Sequence, residues 1–166
     1  MRLDNVKLFN SSKYHSFEID EETGVIVNIL SSDNPMPTTK NGTNLMDCYI
    51  TPGFVDTHIH GAFGFDVCDM DTNSIVQMSM KLAAIGISAF CPTTMTISLD
   101  KIYTTLECVK DAKKILEDTD EPHAEILGVH LEGPFLNPSK CGVQNVSDSI
   151  LPSKASEILD DIENKY

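Results

Sequence analysis

Two histidines separated by one residue, His58 and His60, have the spacing in this sequence that most directly suggests chemistry. Successive side chains on a β-strand point to opposite faces, so Asp56, His58 and His60 are predicted to share one face of a short strand. Two imidazoles on one face can bind the same metal ion, and imidazole nitrogen suits zinc, iron, nickel and copper. The pair therefore predicts a metal site, with Asp56 beside the ligands as a supporting residue.

The residues around this pair matter, because a His-x-His pair also occurs as ordinary core or surface histidines. Pro52 and Gly53 interrupt the backbone before an apolar strand, and Gly61 follows the second histidine. The pair thus stands where a strand ends and a permissive loop begins. Enzymes built as α/β barrels keep their catalytic residues at such strand ends.

A third potential ligand, Glu132, follows a later predicted strand at residues 124–131. The same alternation of side chains places His130 and Glu132 on one face of that strand. In a parallel sheet, Glu132 would emerge beside His58 and His60 at a common edge. Glu132 is therefore predicted to be a metal ligand, and His130 to support the ligands.

The residues between these strands predict two helices and one further strand. In chain order the predictions are a helix capped at Asp71 or Thr72 and ended by Gly86, a strand at 87–91 ended by Pro92, a threonine-rich loop at 93–96, and a helix beginning near Ser98. The order of strands and helices predicts an α/β fold with about three parallel β/α units. Right-handed crossovers would bring the carboxyl ends of all three strands to one edge.

The first fifty residues predict a different kind of structure. Short apolar stretches around residues 6–9, 17–19 and 25–30 are separated by turn residues, which is typical of a small antiparallel β unit. The chain is therefore predicted to have two parts, a β unit at 1–50 and the α/β unit at 51–166.

Composition limits the classes of protein to which the chain can belong. Its 166 residues are 41% hydrophobic, which suits a globular core, but a complete eight-stranded barrel needs roughly 200 to 250 residues. Twelve basic against twenty-five acidic residues give a net charge of −13, which argues against nucleic acid or an anionic membrane as a partner. The sequence shows neither a signal-peptide pattern nor an apolar run of about 18 residues, so we expect a cytoplasmic protein.

Two motifs resemble a known family. Thr-Pro-Gly-Phe-Val-Asp-Thr-His-Ile-His-Gly at 51–61 resembles the first-strand signature of the amidohydrolase superfamily. His-Leu-Glu-Gly-Pro-Phe-Leu-Asn-Pro-Ser-Lys at 130–140 is similar to the more specific motif of the N-acetylglucosamine-6-phosphate deacetylases. This resemblance implies a metal-dependent-hydrolase TIM barrel, of which 51–166 would be the first part, and a β-sandwich to which 1–50 would contribute.

The resemblance also implies roles for individual residues. Glu132 would bind the catalytic divalent metal, and His58 and His60 would hold a second metal in those members that keep both histidines. The cofactor would be one or two ions of zinc, iron, manganese or a similar metal. Many members have a substrate-contacting histidine near Gln144, which here could hydrogen-bond a sugar hydroxyl. The catalytic aspartate is expected beyond Tyr166, so no catalytic residue is expected within these residues.

The implied reaction is hydrolysis of the acetamido group of N-acetylglucosamine 6-phosphate to glucosamine 6-phosphate and acetate. The full-length form would be a homo-oligomer acting on this small molecule, and the 166-residue chain is expected to be a truncated portion with little or no activity. Two alternatives stay open. One is an amidohydrolase acting on a cyclic amide, as dihydroorotases do, and the other is a non-catalytic metal-binding or subunit-assembly module.

Overall fold

Two units make up the chain in a computed structural model that describes residues 1–166, and they comprise Met1–Pro52 and Gly53–Tyr166. The first unit contains only β-strands, and the second contains strands and helices.

The N-terminal unit is one five-stranded sheet. Its strands, in chain order, are β1 (Arg2–Leu8), β2 (Tyr14–Ile19), β3 (Ile26–Ser32), β4 (Gly42–Asn44) and β5 (Tyr49–Ile50). β1, β2 and β3 pair antiparallel, as predicted, but β4 and β5 pair with β1 in parallel. The prediction of a purely antiparallel unit was therefore wrong for the last two strands. The reason is topological, because β3 already runs in the direction of β1 and the following loop crosses the sheet before β4 begins.

That crossing loop is held by polar side chains of β1. The buried Asn5 side chain donates to the Met36 carbonyl oxygen at 2.9 Å and accepts from the Met36 N–H at 2.7 Å. The buried Asp4 carboxylate accepts a hydrogen bond from the Thr39 N–H at 3.1 Å. These bonds fix the return of the chain to β1 although the loop itself has few apolar residues.

The C-terminal unit is an α/β structure whose sheet carries two helices. Its elements are β6 (Phe54–Ile59), β7 (Gly61–Ala62), β8 (Phe65–Asp66), α1 (Thr72–Ala83), β9 (Ile87–Thr94), α2 (Leu99–Glu117), β10 (Glu125–Ile126), β11 (His130–Leu131) and α3 (Ala155–Lys165). β9 pairs in parallel with β6 and with both β10 and β11. The predicted parallel order of strands is confirmed. β7 and β8 form a small separate hairpin directly after β6.

The third predicted strand, at 124–131, is interrupted in the structure. Glu125 lies opposite Ala89 and His130 lies opposite Thr93, so five steps along this strand match four steps along β9. One additional residue is therefore inserted between β10 and β11, in the manner of a β-bulge. The prediction of one continuous strand was wrong, because a local pattern of apolar residues does not reveal such a change of register.

The prediction that Pro92 ends the second strand was also wrong, because β9 continues to Thr94. Proline cannot donate a hydrogen bond to a neighbouring strand. Here Pro92 lies level with the interruption between β10 and β11, and it has Ile59 at the end of β6 as its partner. Thr93 and Thr94 are consequently buried strand residues and not members of a loop.

Both predicted helices are confirmed and form the core with β9. The carboxylate of Asp71 accepts hydrogen bonds from the Asn73 and Ser74 N–H groups and thereby begins α1. The core consists mainly of buried apolar residues of α1, α2, β9 and the start of the third strand, namely Ile75, Met78, Leu82, Phe90, Val109, Leu116, Ala124 and Ile126. No helix combines the length and the apolar character needed to cross a membrane.

Candidate metal centre

The structure brings together His58, His60 and Glu132, although 71 residues lie between His60 and Glu132 in the sequence. His58 lies near the end of β6, His60 directly follows that strand, and Glu132 directly follows β11. The Nε2 atoms of the two imidazoles are 3.1 Å apart. Glu132 Oε2 is 3.2 Å from Nε2 of His58 and 2.9 Å from Nε2 of His60. Three potential ligand atoms therefore form a nearly equilateral triangle.

The dimensions of this triangle suit a single small cation. Ligand atoms bound at about 2.1 Å with angles between about 90° and 109° lie roughly 3.0 to 3.4 Å from one another. The three separations in the structure, 2.9, 3.1 and 3.2 Å, are close to this range. A carboxylate oxygen and two unprotonated imidazole nitrogens are all electron-rich, so they repel at this distance unless a proton or a metal cation lies between them. The residues present therefore fit a divalent ion.

The orientation of His60 is fixed by Thr93 on the neighbouring strand. Nδ1 of His60 lies 3.1 Å from the Thr93 carbonyl oxygen. Because a carbonyl oxygen can only accept, Nδ1 carries the hydrogen and the lone pair of Nε2 is left for the centre. A hydrogen bond of this kind on the other ring nitrogen is the usual support of a metal-binding histidine.

Asp56 and His130, which were predicted to lie beside the ligands, both contact His58. The Asp56 carboxylate accepts a hydrogen bond from the His58 N–H at 3.0 Å, which fixes the backbone just before the site. The His130 ring packs edge-on against the His58 ring, with 4.7 Å between ring centroids. His130 is itself held by the contact between its Nδ1 and the Thr57 carbonyl oxygen at 3.0 Å. Both residues therefore contact His58 and not the open side of the triangle.

Glu132 is held in place by a sharp turn of the chain behind it. Gly133 has a φ angle of +92°, and a Cβ atom there would collide with the side chain of Thr96. A residue with a side chain is strongly disfavoured at such a position. The close approach of Gly133 to Thr96 thus ties the backbone after Glu132 to the end of the neighbouring strand.

Gln144 lies in the same neighbourhood but is directed to the backbone. Its Oε1 accepts from the Thr96 N–H at 2.7 Å, its Nε2 lies 3.6 Å from Met95 Sδ, and the residue is 8% exposed. These contacts make Gln144 a brace for the segment after β9. Its contact with a substrate stays a prediction.

Sequence reasoning missed the part played by Thr93, which it placed in a loop. The available signal was the register of parallel strands. If the second strand continues beyond Pro92, Thr93 comes level with the residues that end β6.

The site is open to solvent on one side, since the side chains of His58, His60 and Glu132 are 45, 33 and 31% exposed. These three side chains are therefore partly accessible to water.

Comparison with known proteins places this geometry in a family. Residues 49–164, which include the candidate ligands, match the sequence model described as "Amidohydrolase family". The chain is 34% identical over 119 residues to the N-acetylglucosamine-6-phosphate deacetylase of Bacillus subtilis, covering 71% of this chain and 30% of that protein. It is 29% identical over 127 residues to the N-acetylgalactosamine-6-phosphate deacetylase of Escherichia coli O157:H7, covering 74% of this chain and 31% of the relative.

The fold agrees with these matches. The crystal structure of N-acetylglucosamine-6-phosphate deacetylase from Thermotoga maritima superposes with a TM-score of 0.68 at 29% identity, covering 93% of this chain and 38% of that one. The chain spans only 30 and 31% of the two curated relatives named above. The resemblance seen in the two sequence motifs is confirmed. Because the family match extends over most of its residues, this chain belongs to the amidohydrolase family.

Proposed function

We propose that this chain supplies part of the metal centre of an enzyme that hydrolyses the acetamido group of N-acetylglucosamine 6-phosphate, giving glucosamine 6-phosphate and acetate. The observation that carries the proposal is the convergence of three ligand atoms, from His58, His60 and Glu132, at 2.9 to 3.2 Å. The names of the relatives supply the substrate class, an N-acetylated amino-sugar phosphate.

His58 and His60 would hold the ion through their Nε2 atoms, and Glu132 through Oε2. The mixed nitrogen and oxygen ligands suit zinc, iron or manganese. The resemblance had suggested one or two ions, and the single triangle of ligand atoms favours one ion shared by all three residues. When bound, a divalent cation polarises the amide carbonyl and lowers the pKa of water, so that hydroxide is available near neutral pH.

The residues of the chain would prepare the site for this chemistry in three ways. Glu132 supplies the negative charge that offsets the charge of the cation. Thr93 and Asp56 hold the two histidines from behind, so that both imidazoles face the same point. The exposed side of the triangle leaves room for water and for the acetamido group.

The wider fold of the protein belongs to the same proposal. Residues 51–166, with about three parallel strands, would be the first part of a metal-dependent TIM barrel, and the β unit at 1–50 would be part of a β-sandwich. We also propose, from the sequence, that the whole protein is a cytoplasmic homo-oligomer that acts on this small molecule without nucleic acid or membrane partners. Gln144 is also proposed as a substrate contact. Its amide group would release the Thr96 N–H and bind a sugar hydroxyl instead.

The first experiment measures metal binding by the purified chain. Isothermal titration with Zn²⁺, Mn²⁺ and Fe²⁺ should show one ion per chain, and His58→Ala or His60→Ala should abolish strong binding. His123→Ala is a matched control, because His123 is bonded to the Glu121 carbonyl oxygen and lies outside the centre. Equal metal binding by the wild type and both site variants would overturn the metal centre.

The second experiment measures release of acetate from N-acetylglucosamine 6-phosphate and N-acetylgalactosamine 6-phosphate. We expect the 166-residue chain to show no turnover above its His58/His60/Glu132 triple variant, because the three groups at the site are committed to binding the ion. Turnover by the chain above that variant would contradict this expectation.

Metal binding together with a faster reaction on a cyclic amide such as dihydroorotate would instead support the cyclic-amide alternative. The assembly-module alternative would be supported if this chain binds metal and a protein that contains it and is as long as the relatives shows no turnover.

A further inference from the structure

We propose that Thr93 is a positioning residue that sets both the location and the tautomer of His60. The inference rests on the proposed function only in treating His60 as a metal ligand. The contacts that carry it are internal to the protein and involve two different groups of Thr93, the hydroxyl and the carbonyl.

The Thr93 hydroxyl lies between the Ile59 N–H and the Cys91 carbonyl oxygen and links the end of β6 to β9. Ile59, the last residue of β6, lies opposite Pro92, and the register between the two strands shifts just before this point. The Ile59 N–H donates to the Thr93 hydroxyl oxygen at 2.9 Å, and the hydroxyl in turn donates to the Cys91 carbonyl oxygen at 3.0 Å. The one donor hydrogen of the hydroxyl is thus used, and the chain is fixed one residue before His60.

The Thr93 carbonyl acts on the ring of His60. Its oxygen lies 3.1 Å from Nδ1, and because a carbonyl oxygen can only accept, Nδ1 carries a hydrogen. Nε2 then faces the centre, 2.9 Å from Glu132 Oε2. Movement of Ile59 would shift His60 relative to this carbonyl, so the two contacts depend on each other.

The next residue shows that burial of a threonine alone does not account for this arrangement. Thr93 and Thr94 are adjacent in β9 and both are fully buried. The Thr94 hydroxyl has no hydrogen-bond partner. The two positions therefore form a matched pair in which only Thr93 is connected to a predicted ligand.

The experiment compares Thr93→Val with Thr94→Val, using Thr93→Ser to restore the hydroxyl. Imidazole ¹⁵N NMR of the metal-free chain should show His60 with hydrogen on Nδ1 in the wild type, in Thr94→Val and in Thr93→Ser. Thr93→Val should move the His60 signals towards a mixture of tautomers. In isothermal titration with Zn²⁺, Thr93→Val should bind about 10- to 100-fold more weakly, which is the usual effect of removing a residue that supports a metal ligand. Thr94→Val should bind as the wild type does.

Separate results decide the two proposals. A wild-type chain that binds no metal overturns the metal centre, whereas the His60 spectrum of the metal-free chain still decides the role of Thr93. If Thr93→Val and Thr94→Val give the same His60 spectrum, the inference is wrong. If Thr93→Val does not fold, the wild-type spectrum remains decisive, because a His60 ring with hydrogen on Nε2 alone contradicts the inference and hydrogen on Nδ1 supports it.

Discussion

Two regions of this protein carry side chains of opposite character. The polar edge is the carboxyl end of β6 and β11, and the apolar edge is β3, the outer strand of the N-terminal sheet. At the carboxyl end of β6 and β11, the polar side chains of His58, His60 and Glu132 contact one another and are held by neighbouring residues. Along β3, at the edge of the N-terminal sheet, the apolar side chains from Ile26 to Leu30 are 39 to 62% exposed. The first edge is specified by contacts within the chain, whereas the second has apolar surface that the chain does not cover.

This difference shows what a sequence motif can and cannot indicate. The polar edge follows from residue types and their spacing, because a ligand triangle needs particular atoms at particular places. The apolar edge looks in the sequence like any strand of a core, since a run of apolar residues does not say whether another surface covers them.

The largest effect is expected at the polar edge from Glu132→Gln. The change keeps the size of the side chain but removes the only negative charge among the three ligand atoms. We expect Zn²⁺ affinity measured by titration to fall by more than about 100-fold, which is beyond the range for residues that only support ligands.

Glu125→Gln on β10 is the control for this variant. It makes the same change in charge at an exposed position outside the triangle. Equal losses of affinity in the two variants would show that net charge, and not the geometry of the site, determines binding.

A smaller effect is expected at the apolar edge from Ile29→Lys. Exposed apolar edge strands favour pairing with another chain, and a lysine on such a strand opposes it. Ile29 is 54% exposed, so the variant should fold normally. Sedimentation velocity should show the wild-type chain associating at micromolar concentration and Ile29→Lys associating several-fold less.

Net charge is controlled by Glu22→Gln, which changes the charge by the same amount in an exposed turn. A wild-type chain that is monomeric at all concentrations would contradict the prediction. So would a Glu22→Gln variant that reduces association as much as Ile29→Lys does.

The two edges also explain how much of the structure could be predicted from the sequence. Helix starts such as Asp71 and the order of parallel strands depend on local signals, and both were predicted correctly. The meeting of Glu132 with the histidine pair followed from strand order and from the alternation of side chains. In contrast, the continuation of β9 through Pro92 and the extra residue before His130 depend on the register between strands. Register is a property of two distant segments, so neither feature is visible in a single stretch of sequence.

The smallest effect is expected from variants of Asp71, whose side chain caps the start of α1. They test whether a hydrogen-bonded carboxylate outside the metal centre has only a local structural role. The hydroxyl and then the N–H of Ser74 donate to Asp71 and hold the pKa of this carboxyl below its usual value. Asp71→Ala should lower the Tm at neutral pH by about 2 to 4 °C, a typical effect of removing a helix cap. Because the pKa is lowered in the folded state, the stabilisation by ionised Asp71 is present above the unfolded-state pKa and is lost as the pH falls through the folded-state value. The difference in Tm between wild type and Asp71→Ala should therefore narrow below about pH 4, the ordinary range for an aspartate.

Asp71→Asn keeps an N-cap but cannot titrate, so the difference in Tm between Asp71→Asn and Asp71→Ala should stay constant with pH. Zn²⁺ affinity should be unchanged in both variants. A change in Zn²⁺ affinity in either one would show that the cap of α1 contributes to the metal centre, and the separation of local and site roles would be wrong.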